Sequence, residues 1–142
     1  MALTSMFLAA GLAVFLDQAS KKLALTLVKE EPCSPGRSGP RLRLIRNRTI
    51  ALGLVRSRSA LVLLWAVAVL GTILLILHAP LLQGDAAQLG LGLAIGGATS
   101  NLLDMLRRGG VVDFIDLRVW PVFNVADAFI FVGVAVAIGS IC

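Results

Sequence analysis

Charged residues are scarce in this 142-residue chain: they make up 15% of it, against 58% hydrophobic residues and a mean hydropathy of +0.91. That balance excludes an ordinary water-soluble domain. Acids are scarcer than bases, 8 against 13, which leaves a net charge of +5 and a pI near 10.3. In a soluble chain such an excess would suggest nucleic acid. Here the basic residues flank hydrophobic segments, at the depth of lipid headgroups, and no nucleic-acid partner is expected. The single histidine, His78, cannot build a zinc site of ordinary type and reads as an interfacial residue at a helix end, so no metal or other cofactor is expected. Cys33 lies in a Pro/Gly-rich loop and Cys142 at the end of the chain, a spacing that fits neither a metal motif nor a disulfide framework. No P-loop is present, and no serine sits in a nucleophile elbow.

What the chain has in abundance is apolar runs. A membrane span needs roughly 20 mostly apolar residues, and four stretches qualify: about 3–25, 59–77, 86–106 and 122–141. The first lacks a basic leader and ends in Asp17 rather than a small-residue cleavage site, so it reads as a retained span and not a cleaved signal. Helices satisfy their own backbone hydrogen bonds in lipid, which predicts an all-α membrane protein, a four-helix bundle forming one integral membrane domain over residues 1–142. Gly92 and Gly96 in the third stretch form a GxxxG pair suited to close helix packing. Between the first two spans, Arg41-Leu42-Arg43-Leu44-Ile45-Arg46 alternates basic and apolar residues. This predicts a strand with one wet and one greasy face, in a surface sheet spanning about 40–56.

Ionisable residues inside apolar helices are costly, about 2.5–3.5 kcal/mol each at mid-helix, and need a partner, a water-filled cavity or a function. Asp17 and Lys21 are four residues apart on one helix face and can pair. Asn101 and Asp104 end the third span, Asn124 and Asp127 open the fourth, and the stretch between them adds Asp113 and Asp116. Up to four aspartates therefore converge at one membrane face. Two carboxylates held close cannot both ionise cheaply: one takes up a proton that the pair shares. The charged partner can then activate water while the protonated one polarises a carbonyl, as in aspartic proteases. Residue chemistry alone does not choose Asp113 over Asp116. A small proton-coupled carrier would use similar acids, but would spread them along a path through the bilayer.

The segments Asp17-Gln18-Ala19-Ser20-Lys21, Asn47 to Gly53, Gly96-Gly97-Ala98-Thr99-Ser100-Asn101-Leu102-Leu103-Asp104, Gly109 to Ile115, and Trp120-Pro121-Val122-Phe123-Asn124-Val125-Ala126-Asp127 resemble, in order, the lipoprotein signal peptidases, or signal peptidase II. The resemblance implies a multi-pass aspartyl endopeptidase of the bacterial inner membrane, a hydrolase with its site facing outside. Such an enzyme removes signal peptides from diacylglyceryl-modified prolipoproteins, cutting before the lipidated cysteine. It implies membrane lipids and globomycin-type inhibitors as further partners. Its catalytic pair falls on Asp113 and Asp127, with Asp17, Lys21, Asn47, Gly53, Gly97, Asn101, Asp104, Asn124 and Ala126 in binding or supporting positions, and with a small extracytoplasmic sheet between helices 1 and 2.

This chain departs from the family pattern at Thr49 and Leu52, at Ser100 where glycine usually precedes Asn101, and at Met105 where arginine usually follows Asp104. The Asp113–Asp127 connection is also a few residues shorter. Met105 motivates an alternative, an impaired paralogue that binds lipoprotein or antibiotic without cutting, although Arg108 could pair with Asp104 in its place. All 13 Lys and Arg residues lie in or beside the first and third loops. The positive-inside rule places those loops in the cytoplasm, opposite to the side the resemblance implies.

Overall fold

The computed structural model describes residues 3–28, 41–47 and 57–140. Both cysteines, residue 40 and residues 48–56, with Thr49, Leu52 and Gly53 among them, lie outside the described residues. Four long helices occupy the four apolar stretches: α1 (Thr4–Leu27), α2 (Arg58–His78), α3 (Asp85–Arg108) and α4 (Val125–Gly139). Two short strands, β1 (Arg41–Asn47) and β2 (Val111–Asp116), pair antiparallel.

Local signals set the helix ends. Ser57 caps α2, and its hydroxyl accepts from the Ala60 N–H. Gly109, at φ +70, ends α3 in the left-handed conformation that favours glycine, and turns the chain towards β2. The start of α1 is tied to α3: the Leu3 N–H donates to buried Gln88 Oε1 at 3.0 Å. By length and composition α2 and α3 can each cross a membrane, whereas α4 has only 15 residues. The polar residues Asp17, Gln18, Lys21 and Lys22 interrupt α1. Only Leu61 and Ile76 of α2 are buried, so most of its apolar surface faces outward, as a helix facing lipid would.

Helix α3 is the hub and packs on the other three. Its small residues make this possible on two faces. A Cβ added to Gly92 or Gly96 would strike the α1 backbone at Met6 and Ala10, and one on Gly90 or Gly97 would strike α4 at Gly133 and Ala126. The GxxxG pair read from sequence thus receives α1, and the offset pair receives α4.

The sheet differs from expectation in two ways. Its second strand comes from the α3–α4 connection, so the sheet is not contained between the first two helices. The strand Val-Val-Asp-Phe-Ile-Asp lacks the alternation of a half-wet strand because both its aspartates are buried. In β1, the register slips by one residue between Leu42 and Ile45, so that Arg43 and Leu44 together oppose Phe114. Such a bulge swaps the faces midway along the strand, and Leu42 is exposed rather than set against a greasy surface.

Candidate active site

The site lies where the sheet meets the C-terminal ends of α1 and α3 and the start of α4. After β2 the chain loops out and returns through Phe123, which exchanges backbone hydrogen bonds with Ile115 at 2.8 and 3.1 Å. That return sets Asn124 beside Asp113. Asn124 is the N-cap of α4: its Oδ1 accepts from the Asp127 N–H at 2.9 Å, while its own N–H donates to Asp127 Oδ2 at 3.2 Å, closing a capping box.

Because a backbone N–H can only donate, Asn124 Oδ1 must face it and the amide nitrogen must point the other way. That nitrogen donates to Asp113 Oδ1 at 2.8 Å and to Asn101 Oδ1 at 3.1 Å. Asn101 is fixed by the same logic. Its oxygen also accepts from Lys21 Nζ at 2.9 Å, and an ammonium cannot accept, so its nitrogen donates to Asp127 Oδ1 at 2.9 Å. Two asparagines thus hold two aspartates, one from the sheet and one from α4. A side-chain hydrogen bond from Asn47 reaches Asp113 from β1.

The Asp113 carboxyl is pushed up from its ordinary 3.8 to about 6. Burial is the main cause and the charge of Asp127 the second; the hydrogen bonds from Asn124 and Asn47 and the Lys21 charge pull the other way. Asp127 is half-buried and opens onto an apolar groove of about 530 Å³ that runs along α4 past Ile130, Phe131, Val134 and Ile138.

Behind the asparagines lies a buried ionic cluster. Lys21 commits its three donors to Asp17 Oδ2 at 2.6 Å, Asp104 Oδ2 at 2.8 Å and Asn101. Asp17, Lys21 and Asp104 are wholly buried. Arg108 pairs with Asp104 from one turn further along α3, which balances two anions with two cations. Asp17 Oδ1 accepts the Ala126 N–H at 2.7 Å, tying α1 to the first turn of α4. Among the described residues no buried side-chain polar atom lacks a hydrogen-bond partner.

A profile of the Signal peptidase (SPase) II family matches residues 9–142. The chain belongs to the signal peptidase II family. The lipoprotein signal peptidases of Moorella thermoacetica and Halothermothrix orenii are 39% and 36% identical to it, over 91% and 88% of this chain and 87% and 86% of their own. Two solved structures, both described as bacterial membrane enzymes, superpose with TM-scores of 0.79 and 0.78 at 24% identity. They cover 95% of this chain, and 85% and 90% of theirs is matched. The chain shares the fold of these two structures, and its family is one of peptidases.

Within this signal peptidase II chain, the positions singled out from sequence separate into three groups. Asp113, Asp127, Asn101, Asn124 and Asn47 share one hydrogen-bonded set, with Asp17, Lys21, Asp104 and Ala126 behind it. Gly97 is where α4 comes closest to α3, a packing position. Asp116 stands apart, accepting from the Arg118 N–H at 2.9 Å. Two contributors were not singled out. Gln18 Nε2 donates to Ser100 Oγ at 2.8 Å and Asp104 Oδ1 at 3.0 Å, and Ser100 Oγ donates to Asp17 Oδ2 at 2.6 Å. Their signal was visible, since Gln18 lies between Asp17 and Lys21 and a serine replaces the usual glycine. Met105, the departure behind the impaired alternative, packs in an apolar cluster with Leu61, Leu102 and Val111. With Arg108 supplying the cation to Asp104, that alternative has no structural ground.

Proposed function

We propose that Asp113 and Asp127 are the catalytic pair of an aspartyl endopeptidase that removes signal peptides from diacylglyceryl-modified prolipoproteins, cutting before the lipidated cysteine. The observation that carries this reading is two carboxylates from different elements, oriented by a shared pair of asparagines, with Asp113 pushed up to about 6. Asp127 accepts two N–H donors in the first turn of α4, a position that suits a negative charge, and it borders the groove. It acts as the base. Asp113 holds the proton and hydrogen-bonds the scissile carbonyl oxygen. Water gives a proton to Asp127 as its oxygen bonds the carbonyl carbon. The tetrahedral intermediate then collapses, the C–N bond breaks, and the proton on Asp127 passes to the leaving nitrogen.

Asp17, Lys21 and Asp104 do not reach the reacting atoms and act as positioning residues. The apolar groove along α4 receives the hydrophobic part of the signal peptide, whose scissile bond then lies at Asp127. The enzyme is a multi-pass protein of the bacterial inner membrane with its site facing outside, where lipid-modified substrates are processed, and globomycin-type inhibitors compete for the same site. The test is turnover of a diacylglyceryl-modified prolipoprotein by purified protein in lipid. Asp113→Asn and Asp127→Asn should each abolish cleavage and Asp116→Asn should spare it. Turnover surviving in either of the first two would refute the assignment.

A further inference from the structure

Among the described residues, every exposed charge at the site end of the bundle is positive. Lys22 comes from α1, Arg46 from β1, Arg58 opens α2, Arg107 closes α3, and Arg118, paired with Asp116, follows β2. The aspartates of this end are turned inward: Asp17, Asp104, Asp113 and Asp116 are buried and Asp127 is half-buried. Among the described side chains, the opposite end exposes only Asp85 and His78 as ionisable groups. Arg46 and Arg58 come together at the Gly109–Gly110 turn, two residues beyond Arg107. A Cβ on Gly109 would lie 3.7 Å from Arg58 Nη2, and one on Gly110 would lie 2.9 Å from Arg46 Cγ.

A second feature shares this level. The loop after β2 exposes 89% of Val119 and 68% of Trp120, beyond a turn in which Arg118 takes φ +68. An exposed tryptophan two residues from Arg118, at the end of the bundle whose exposed charges are positive, suits the headgroup layer, where its ring meets acyl chains and the cations meet phosphate. With the site facing outside, these cations stand on the side the positive-inside rule disfavours, and a negative surface there would offset that cost. We propose that this cationic rim, with Trp120 at its edge, draws anionic phospholipid headgroups into the lipid shell around the site. Nothing in this depends on the peptidase chemistry.

The chain has no tyrosine and two tryptophans, and Trp65 is held between α2 and α3 by a 2.9 Å hydrogen bond to Thr99. The difference between the protein and its Trp120→Phe variant therefore isolates Trp120 fluorescence. The protein would be reconstituted in mixed phosphatidylglycerol and phosphatidylcholine vesicles, at equal mole fraction, with one or the other lipid brominated. Brominated phosphatidylglycerol should quench Trp120 about threefold more effectively than brominated phosphatidylcholine. In the Arg46→Gln, Arg58→Gln, Arg107→Gln triple variant, which keeps Lys22 and Arg118, the ratio should fall towards one, and each single replacement should lower it part-way. Equal quenching by the two lipids in the unmodified protein, or a preference unchanged by all these replacements, would overturn the proposal.

Discussion

Replacing Lys21 by methionine keeps the volume of the side chain and removes its charge. Of the two wholly buried carboxylates it joins, Asp104 keeps its pairing with Arg108, while Asp17 loses the cation beside it. Breaking a buried ion pair by removing one partner costs about 3–5 kcal/mol, chiefly because the remaining charge is stranded in a medium of low polarity. That range is the expected loss for Lys21→Met, measured by reversible unfolding in mixed micelles with Trp65 fluorescence as the probe. Adding Asp17→Asn removes the stranded charge and leaves Asp104 paired with Arg108, so the double variant should recover at least about 2 kcal/mol of the loss, a coupling of the size that contacting charges show. Activity separates the two functions of Lys21. Its third donor fixes the Asn101 oxygen, so that the nitrogen faces Asp127. The double variant should therefore regain stability and remain at least about tenfold slow, since misplaced catalytic groups cost this much or more. Strictly additive stability losses would refute the charge-balance argument, and full activity in the double variant would refute the orienting role.

Four further outcomes follow from the geometry. Asn124→Ser retains a capping oxygen but takes a donor from buried Asp113 and Asn101, so it should cost about 1–3 kcal/mol of stability while lowering cleavage at least about a hundredfold. The Asp113 carboxyl lies at about 6, above its ordinary 3.8. The folded state therefore holds a proton that the unfolded chain has already released. The stability this contributes is complete below the unfolded value and lost as pH rises to about 6, and kcat/KM should fall through the same region on its alkaline side. Gly90→Ala would place a Cβ 2.6 Å from Gly133 O and should destabilise by about 1–3 kcal/mol, whereas Gly11→Ala meets nothing within 4 Å and should be neutral or gain up to about 1 kcal/mol. Met105→Arg would push a guanidinium into the Leu61, Leu102 and Val111 cluster and should cost about 3 kcal/mol, read by the same unfolding assay. A stable and faster Met105→Arg protein would show that its apolar packing had been misjudged.

The helices were legible because an apolar run of this length has few folded alternatives in lipid, and their ends fell within a few residues of the expected ones. Strand β2 was not, since alternation reveals a strand only when one face is wet. Asp113 and Asp116 are both buried here, held by Asn124 and by the Arg118 N–H. The bulge in β1 was equally hidden, because nothing in Arg-Leu-Arg-Leu-Ile marks where the register slips. At the site, the pairing of Asp17 with Lys21 could be read from a spacing of four, and that of Asp104 with Arg108 likewise. Contacts such as Asn124 to Asn101, or Gln18 to Ser100, join residues 23 and 82 apart and have no local signature. Residue chemistry narrowed the aspartates to a set; the choice of Asp113 over Asp116 came from family resemblance. In the structure Asn124 bonds Asp113, while Asp116 accepts from the Arg118 N–H.

The capping box of α4 has a consequence for the order in which the molecule comes into being. The atoms that start this helix are the same atoms that hold Asp127, and the Ala126 N–H in that first turn is what Asp17 grips from α1. A ribosome delivers α4 after the other three helices. Until it does, Asp113 waits in its strand with neither Asn124 nor Asp127 beside it, and Asp17 lacks one of its donors. On the proposed assignment, the folding step that seats α4 is therefore also the step that brings the two aspartates together.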